Sequence, residues 1–323
     1  MYTSYFGLKE NPFNLTPDPK YLFLSPQHSE ALSHLLYGIN EKKGFMVITG
    51  GIGTGKTTIC RKLLSVLDQS IDSALIFNPS LSEMELLATI NQEFGIKSGR
   101  GRPTRKRHIS ALNAFLLKNF SSGRNSVLLI DEAQNLSRGV LEQIRMLSNL
   151  ETEREKLLQI ILIGQPELEE LLTSPSLKQL NERITVRYNL TPFNRRQEED
   201  YIRHRLAVAG ADNGFPRFSS QAFRKIHSYS KGIPRRINAI CDRALLIAYS
   251  GDCNVISRNL VRETVSDIGS GYLTDKTMSR RKRECLLLLS TLIILILLLL
   301  AVTVDREAVF EFFSNAIFFK WDR

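Results

Sequence analysis

Residues Gly50 to Thr57 read Gly-Gly-Ile-Gly-Thr-Gly-Lys-Thr, in which four residues separate Gly50 from Gly55 and Lys and Thr follow. No other segment restricts the fold as much, because it works only between the end of a buried strand and the first turn of a helix. There the glycines let backbone N–H groups turn inward around phosphates, and the helix N-terminus adds a partial positive charge. Both neighbours are present. Phe45 to Thr49 (FMVIT) is a continuous apolar run of strand type, and a helical pattern opens at Lys56.

The cradle therefore predicts Gly50, Gly51, Ile52, Gly53, Thr54, Gly55, Lys56, Thr57 and Thr58 around the phosphates of ATP. Lys56 reaches the outer two phosphates and the Thr57 hydroxyl ligates Mg²⁺. Such a site needs an acid at the end of a second buried strand. Ser126 to Ile130 (SVLLI) ends on Asp131 and Glu132. Asp131 is expected to hold Mg²⁺ through its water shell, and Glu132 to orient and deprotonate the attacking water. Gln165 follows the apolar run Gln159 to Ile163 and is expected beside the strand bearing Asp131, where it positions water or serves only as a polar turn residue before Pro166. Among the arginines, Arg235 opens a helix after Gly232-Ile-Pro234, placed to bridge a second unit to the nucleotide. Arg183 lies near the end of the first unit, placed to reach a neighbouring subunit's nucleotide.

Apolar runs at 45–49, 74–78, 126–130 and 159–163, separated by helical patterns, mean an α/β fold with a parallel sheet covered on both faces. After Thr191 the pattern turns helical, around Gln197–Ala209, Ser219–Ser230 and Arg235–Ser250. The expected units are a nucleotide-binding core over 1–190, a small helical domain over 191–268, a basic linker over 269–284, a transmembrane helix over 285–304 and a short aromatic tail over 305–323. Leu286 to Val304 holds no charged residue and is long enough to cross a hydrocarbon core of roughly 30 Å. Arg280, Arg281, Lys282 and Arg283 precede it, which predicts a single-pass inner-membrane protein with its core in the cytoplasm and the tail on the far side. The N-terminus lacks a basic start followed by an apolar run, so no cleavable signal is expected there. Cys60, Cys241, Cys253 and Cys285 are widely spaced and suggest neither a metal site nor disulfides. The net charge of +10 is compatible with an acidic partner, anionic lipid or nucleic acid. The run Ser98 to His108 reads as a solvated basic loop.

Seven segments in order resemble the AAA+ ATPases, and specifically the general secretion pathway component A family and its relatives in type IV pilus biogenesis. They are YFGLKENPFNLTPDPKYLFLSPQHSEAL, GGIGTGKTT, LLIDEAQNL, QIILIGQPEL, LNERITVRYNLTPF, YIRHRLAVAG and GIPRRIN. The resemblance implies that Asn11–Tyr37 packs near the adenine and that Gln165 is the first sensor. It likewise makes Arg183 the finger toward a neighbour, Arg235 the second sensor and the part after Thr191 a lid. It also implies a homo-oligomer driving or regulating a secretion, export or pilus machine. Members of the secretion branch continue past their membrane helix into a peptidoglycan-binding domain, whereas 305–323 is too short for one. Contact with the cell wall is then expected through a partner protein. AAA+ helpers of transposition share a similar core, which leaves an ATP-dependent DNA-binding role as the alternative.

Overall fold

The computed structural model describes residues 2–269 apart from 17, 78–79, 98–103, 154 and 212–215. The expected linker, transmembrane span and tail lie outside the described residues. Among the described residues no helix is long and apolar enough to cross a membrane.

The chain begins with a short helix α1 (Tyr2–Tyr5) and the long α2 (Pro26–Asn40). It continues β1 (Phe45–Gly50), α3 (Lys56–Val66), β2 (Ile71–Ile76), α4 (Glu83–Glu93), α5 (Arg105–Ser121), β3 (Asn125–Ile130), α6 (Arg138–Leu147), β4 (Gln159–Gly164), α7 (Glu167–Leu172), α8 (Lys178–Asn181) and β5 (Ile184–Leu190). Then come α9 (Arg195–Val208), β6 (Arg217–Phe218), α10 (Ser220–Ser230), α11 (Pro234–Ser250), β7 (Val255–Ile256) and α12 (Arg258–Ile268).

The five long strands form one sheet in the order β2-β3-β4-β1-β5, and every pairing in it is parallel. Alternate residues of the central strands serve opposite faces. Phe45, Val47, Leu128, Ile130, Ile160 and Leu162 pack with α4, α5 and α6, while Met46, Ile48, Val127, Leu129, Ile161 and Ile163 pack with α2 and α3. Two buried faces explain why β1, β3 and β4 read as unbroken apolar runs. Each fully buried Leu, Ile, Val or Phe stabilises by roughly 1.5–3 kcal/mol. The strand ends carrying Gly50, Asp131 and Gln165 therefore sit on a firm base.

Several expectations shift. The second strand is Ile71–Ile76 rather than 74–78, and Asn78 lies outside the described residues. A fifth strand, β5, pairs with β1 at the sheet edge. It is exposed at every second position and so lacks the apolar run that marks a buried strand. The second half of the basic segment is not a loop: Thr104 accepts from the Arg107 N–H and caps α5, whose first turn buries His108.

Among the described residues between Leu190 and Gly269 the elements are helices apart from the two-residue pair β6–β7. Helix α11 is their centre, burying Ile237, Ile240, Cys241, Ala244, Leu245 and Ala248 against α10 and α12. The N-terminal residues, expected with the core, dock on this helical part instead. The Tyr2 hydroxyl donates to Asp242, the Tyr5 hydroxyl to Asp252 at 2.8 Å, and the Lys9 N–H to the Ala209 carbonyl at 2.8 Å. Their aromatic side chains fill the outer side of α11, a role that needs bulk and a hydroxyl but leaves no periodic pattern in so short a stretch.

Candidate active site

The parallel strands all end on one side, and the loops leaving β1, β3 and β4 meet there. Most of the longer helices start on a Ser, Thr or Asn whose side chain accepts from the first turn, as at Ser25, Ser82, Thr104, Ser137, Asn194, Ser219 and Ser257. Helices α3 and α11 have no such side-chain cap. Their first turns both line a cavity of about 420 Å³. The uncapped N–H groups and the dipoles of two helices thus face one space, an arrangement that favours an anion.

Helix α3 starts from Gly55, whose φ of +102° only glycine adopts readily, and a Cβ there would come within 2.6 Å of the His28 ring. Lys56 is buried, and its Nζ donates to the Gly50 carbonyl at 2.8 Å and the Gly51 carbonyl at 3.1 Å. Burial pushes the Lys56 ammonium down from its usual range, with Glu132, Asp131 and Glu167 opposing that shift. The Thr57 hydroxyl donates to Asp131 Oδ2 at 2.9 Å, and Asp131 is 2% exposed. A hydroxyl and a carboxylate side by side are hard oxygen donors of the kind Mg²⁺ takes while keeping several waters. Among the described residues no group of three or more His, Cys, Asp or Glu is placed to hold a metal. Magnesium bound here would accordingly lean on these two side chains plus phosphate oxygens.

Glu132 stands in the left-handed region at φ +54°, with its N–H donated to Asp131 Oδ1 at 2.9 Å. A non-glycine residue there carries strain of roughly 1–3 kcal/mol. Its carboxylate Oε2 accepts from Gln134 Nε2 at 2.6 Å and from Gln165 Nε2 at 3.2 Å. Strands β3 and β4 are neighbours, so Gln165 does lie beside the strand bearing Asp131. Glu132 and Gln165 both line the cavity, as do Ile52, Gly53, Gly55, Lys56, Thr57, Thr58 and Arg235. Arg235 rests on the glycine loop itself: a Cβ added at Gly53, which has φ +76°, would lie 2.7 Å from the Arg235 Cβ.

The remaining wall comes from the segment Asn11–Tyr37, expected near the adenine, and from the segments YIRHRLAVAG and GIPRRIN, in which the sequence alone gives Tyr201, Arg205 and Asn238 no role of their own. Asn14, Leu15 and Thr16 line one side, and Tyr201, Arg205 and Asn238 of the helical part another. A second cavity of about 230 Å³ shares Gly55, Thr58, Tyr201, Arg205 and Pro234 with the first and adds Tyr21, Phe23, His28 and Phe193. Arg205 is 5% exposed and donates to the Pro12 and Asn14 carbonyls and to the Tyr201 hydroxyl, with its guanidinium 4.7 Å over the Tyr21 ring.

Residues 39–172 match the family described as AAA domain. Over 250 residues the chain is 49% identical to General secretion pathway protein A of Aeromonas hydrophila, covering 77% of this chain and 45% of that protein. The chain belongs to the AAA+ ATPases, in the general secretion pathway component A family. It spans less than half the length of that relative. Two solved structures share the fold at low identity. Cdc6p from Pyrobaculum aerophilum has a TM-score of 0.61 at 18% identity, over 78% of this chain and 71% of that one. The Aeropyrum pernix ORC2 protein has 0.59 at 16%, over 82% and 73%.

Within this AAA+ chain one expected residue stands apart from the rest. Arg183 precedes β5 and donates to Ser148 Oγ at 2.7 Å and Asn149 Oδ1 at 2.6 Å. Ile184 pairs with Phe45 at the start of β1, whereas Leu190 pairs with Gly50 at its end. A strand of this length covers about 20 Å. Arg183 therefore lies at the sheet end opposite the cavity and does not reach the site of its own chain.

Proposed function

We propose that this chain binds ATP with Mg²⁺ in the cavity above β1, β3 and β4 and hydrolyses it, using the energy to drive or regulate an export machine of the bacterial envelope. The observation that carries the chemistry is the Thr57–Asp131 hydrogen bond of 2.9 Å directly beside Lys56. It joins the phosphate cradle to an acid brought from another strand, 74 residues away in sequence.

The glycine loop and the α3 N-terminus bind the phosphates through N–H groups. Lys56, now donating to two loop carbonyls, turns its ammonium to the outer phosphate oxygens. Thr57 and Asp131 would hold Mg²⁺, which when bound offsets charge on the phosphates. Glu132 takes the proton of a water whose oxygen bonds to the terminal phosphorus. The bond from that phosphorus to the bridging oxygen breaks, and its electron pair leaves with ADP. Gln165 donates toward the terminal phosphate, and Arg235 brings the helical part against it. The aromatic cavity lined by Tyr21, Phe23, Phe193 and Tyr201 takes the base.

Export is supported by the likeness to General secretion pathway protein A, which favours it over a nucleic-acid role. The charge-free run Leu286–Val304 and the basic residues before it support a single-pass inner-membrane anchor with the ATPase in the cytoplasm.

The test is steady-state hydrolysis together with nucleotide binding. Lys56→Ala is expected to lose ATP binding. Glu132→Gln is expected to keep ATP bound and to turn over at least about 100-fold more slowly, within the range seen for loss of a general base. Turnover by Glu132→Gln at the unmodified rate would remove Glu132 as the base.

A further inference from the structure

The Gln134 side chain bonds both the Glu132 carboxylate and the Gln165 backbone N–H, groups of two residues that line the cavity, yet it does not itself line it. It sits on the short turn Ala133–Asn135 after β3, half-buried behind Glu132. Its amide is used at both ends. Nε2 donates to Glu132 Oε2 at 2.6 Å, and Oε1 accepts from the Gln165 backbone N–H at 3.0 Å. The Gln165 side chain closes the ring through its longer bond of 3.2 Å to the same Glu132 oxygen.

That ring contains a competition. Glu132 Oε2 shares two amide donors, and the weaker belongs to Gln165, which lines the cavity beside it. A phosphate oxygen arriving there is a strong acceptor for the Gln165 amide. When Gln165 turns to it, Glu132 keeps one donor, Gln134. The backbone of Gln165 stays anchored too, because its N–H remains on Gln134 Oε1.

We propose that Gln134 is a positioning residue for hydrolysis: it holds the Glu132 carboxylate toward the attacking water while Gln165 exchanges its bond to Glu132 for the terminal phosphate. The proposal rests on Glu132 being the general base. It makes Gln134 the hinge between sensing the triphosphate and activating water, and it has no part in binding ADP.

The experiment uses the full chain with ATP and Mg²⁺. Gln134→Leu keeps the size of the side chain and removes both bonds. Gln134→Glu keeps the acceptor for the Gln165 N–H, loses the donor and sets a like charge against Glu132. Both variants are expected to lower kcat about 10- to 100-fold, at the low end of general acid–base contributions. KM for ATP and the Kd for ADP are expected to stay within about threefold. In a Glu132→Gln background, Gln134→Leu is expected to lower the residual rate by less than about twofold, since Gln134 acts through the carboxylate that is already gone. A structural role would instead cut both backgrounds alike and weaken ADP binding. Equal losses in the two backgrounds, or an unmodified kcat in either single variant, would overturn the proposal. If Gln134→Leu fails to bind ADP, Gln134→Glu alone decides on the same kcat criterion. Should Glu132→Gln itself turn over normally, the general-base reading fails, and that result is separate from any behaviour of Gln134.

Discussion

His28 ties the segment before the core to the glycine loop by two hydrogen bonds. Nε2 lies 3.0 Å from the Thr54 carbonyl and so carries the proton, which leaves Nδ1 to accept from Ser25 Oγ at 2.7 Å. Burial holds the imidazole below its ordinary value of 6.5, and the Thr54 carbonyl offsets only part of that. The sign follows from proton uptake. The unfolded chain takes up a proton as pH drops below about 6.5 while the folded chain does not, so stability is full above that value and is lost as pH falls from it toward the folded pKa. His28→Gln is expected to cost about 1–2 kcal/mol at pH 7.5 from the buried bonds. The variant should also lose less Tm than the unmodified protein between pH 7.5 and 5.5. Parallel melting curves across that range would refute the linkage. His28 also shows what sequence reading at this scale reaches. Lys56, Thr57, Asp131, Glu132, Gln165 and Arg235 were legible because each sits at a strand end or helix start whose geometry its own neighbours announce. His28, Gln134 and Arg205 act through contacts with residues elsewhere in the fold, and a lone His or Arg in a helix looks the same whether it faces water or a glycine loop.

At the scale of elements, the wall of the cavity opposite the glycine loop is not one element but a stretch of chain pinned to a helix. Residues Asn14–Thr16 line the cavity, and what holds them is Arg205 of α9, reaching the Pro12 and Asn14 carbonyls. The guanidinium also lies over Tyr21 and bonds Tyr201, so one side chain fixes two strips of the same wall. Arg205→Met keeps the aliphatic stem and drops every donor. It is expected to raise the Kd for ATP about tenfold, on the order of 1.4 kcal/mol, with kcat changed less than Kd because none of the groups around Glu132 moves. Calorimetric titration of the two proteins with ATP checks it, and equal affinities would show that the strap holds without the staple. The elements themselves were unevenly legible. Strands β1, β3 and β4 declare themselves as apolar runs because helices cover both their faces. Strand β5 (Ile184–Leu190) alternates like a half-covered edge and hides inside a polar motif, and α12 (Arg258–Ile268), with Leu260, Val261 and Val265 buried, hides because its polar residues outnumber its apolar ones.

At the scale of the whole molecule Arg183 is the residue to test, because it lies at the sheet end away from the cavity of its own chain. It is held there by Ser148 and Asn149, just past the end of α6. A cation fixed there contributes nothing to the phosphates of its own chain, at roughly 20 Å through a medium that screens charge over about 8–10 Å at physiological salt. If it serves catalysis, it serves a neighbouring copy whose cavity abuts this end of the sheet. Mixing separates the two cases. Arg183→Ala retains an intact cavity and lacks the finger, while Lys56→Ala lacks a working cavity and keeps the finger. Each alone is expected to fall at least about 100-fold below the unmodified rate, since an arginine finger contributes on the order of 10³–10⁵ to kcat in P-loop GTPases. Mixed in equal amounts at a concentration where the chain self-associates, they are expected to regain a measurable fraction of turnover, because sites on Arg183→Ala subunits then receive Arg183 from Lys56→Ala subunits. The regained rate should grow with total protein at a fixed ratio, as assembly requires. Normal turnover by Arg183→Ala alone, or a mixture no more active than its two components, would mean that Arg183 only fastens β5 to the loop after α6.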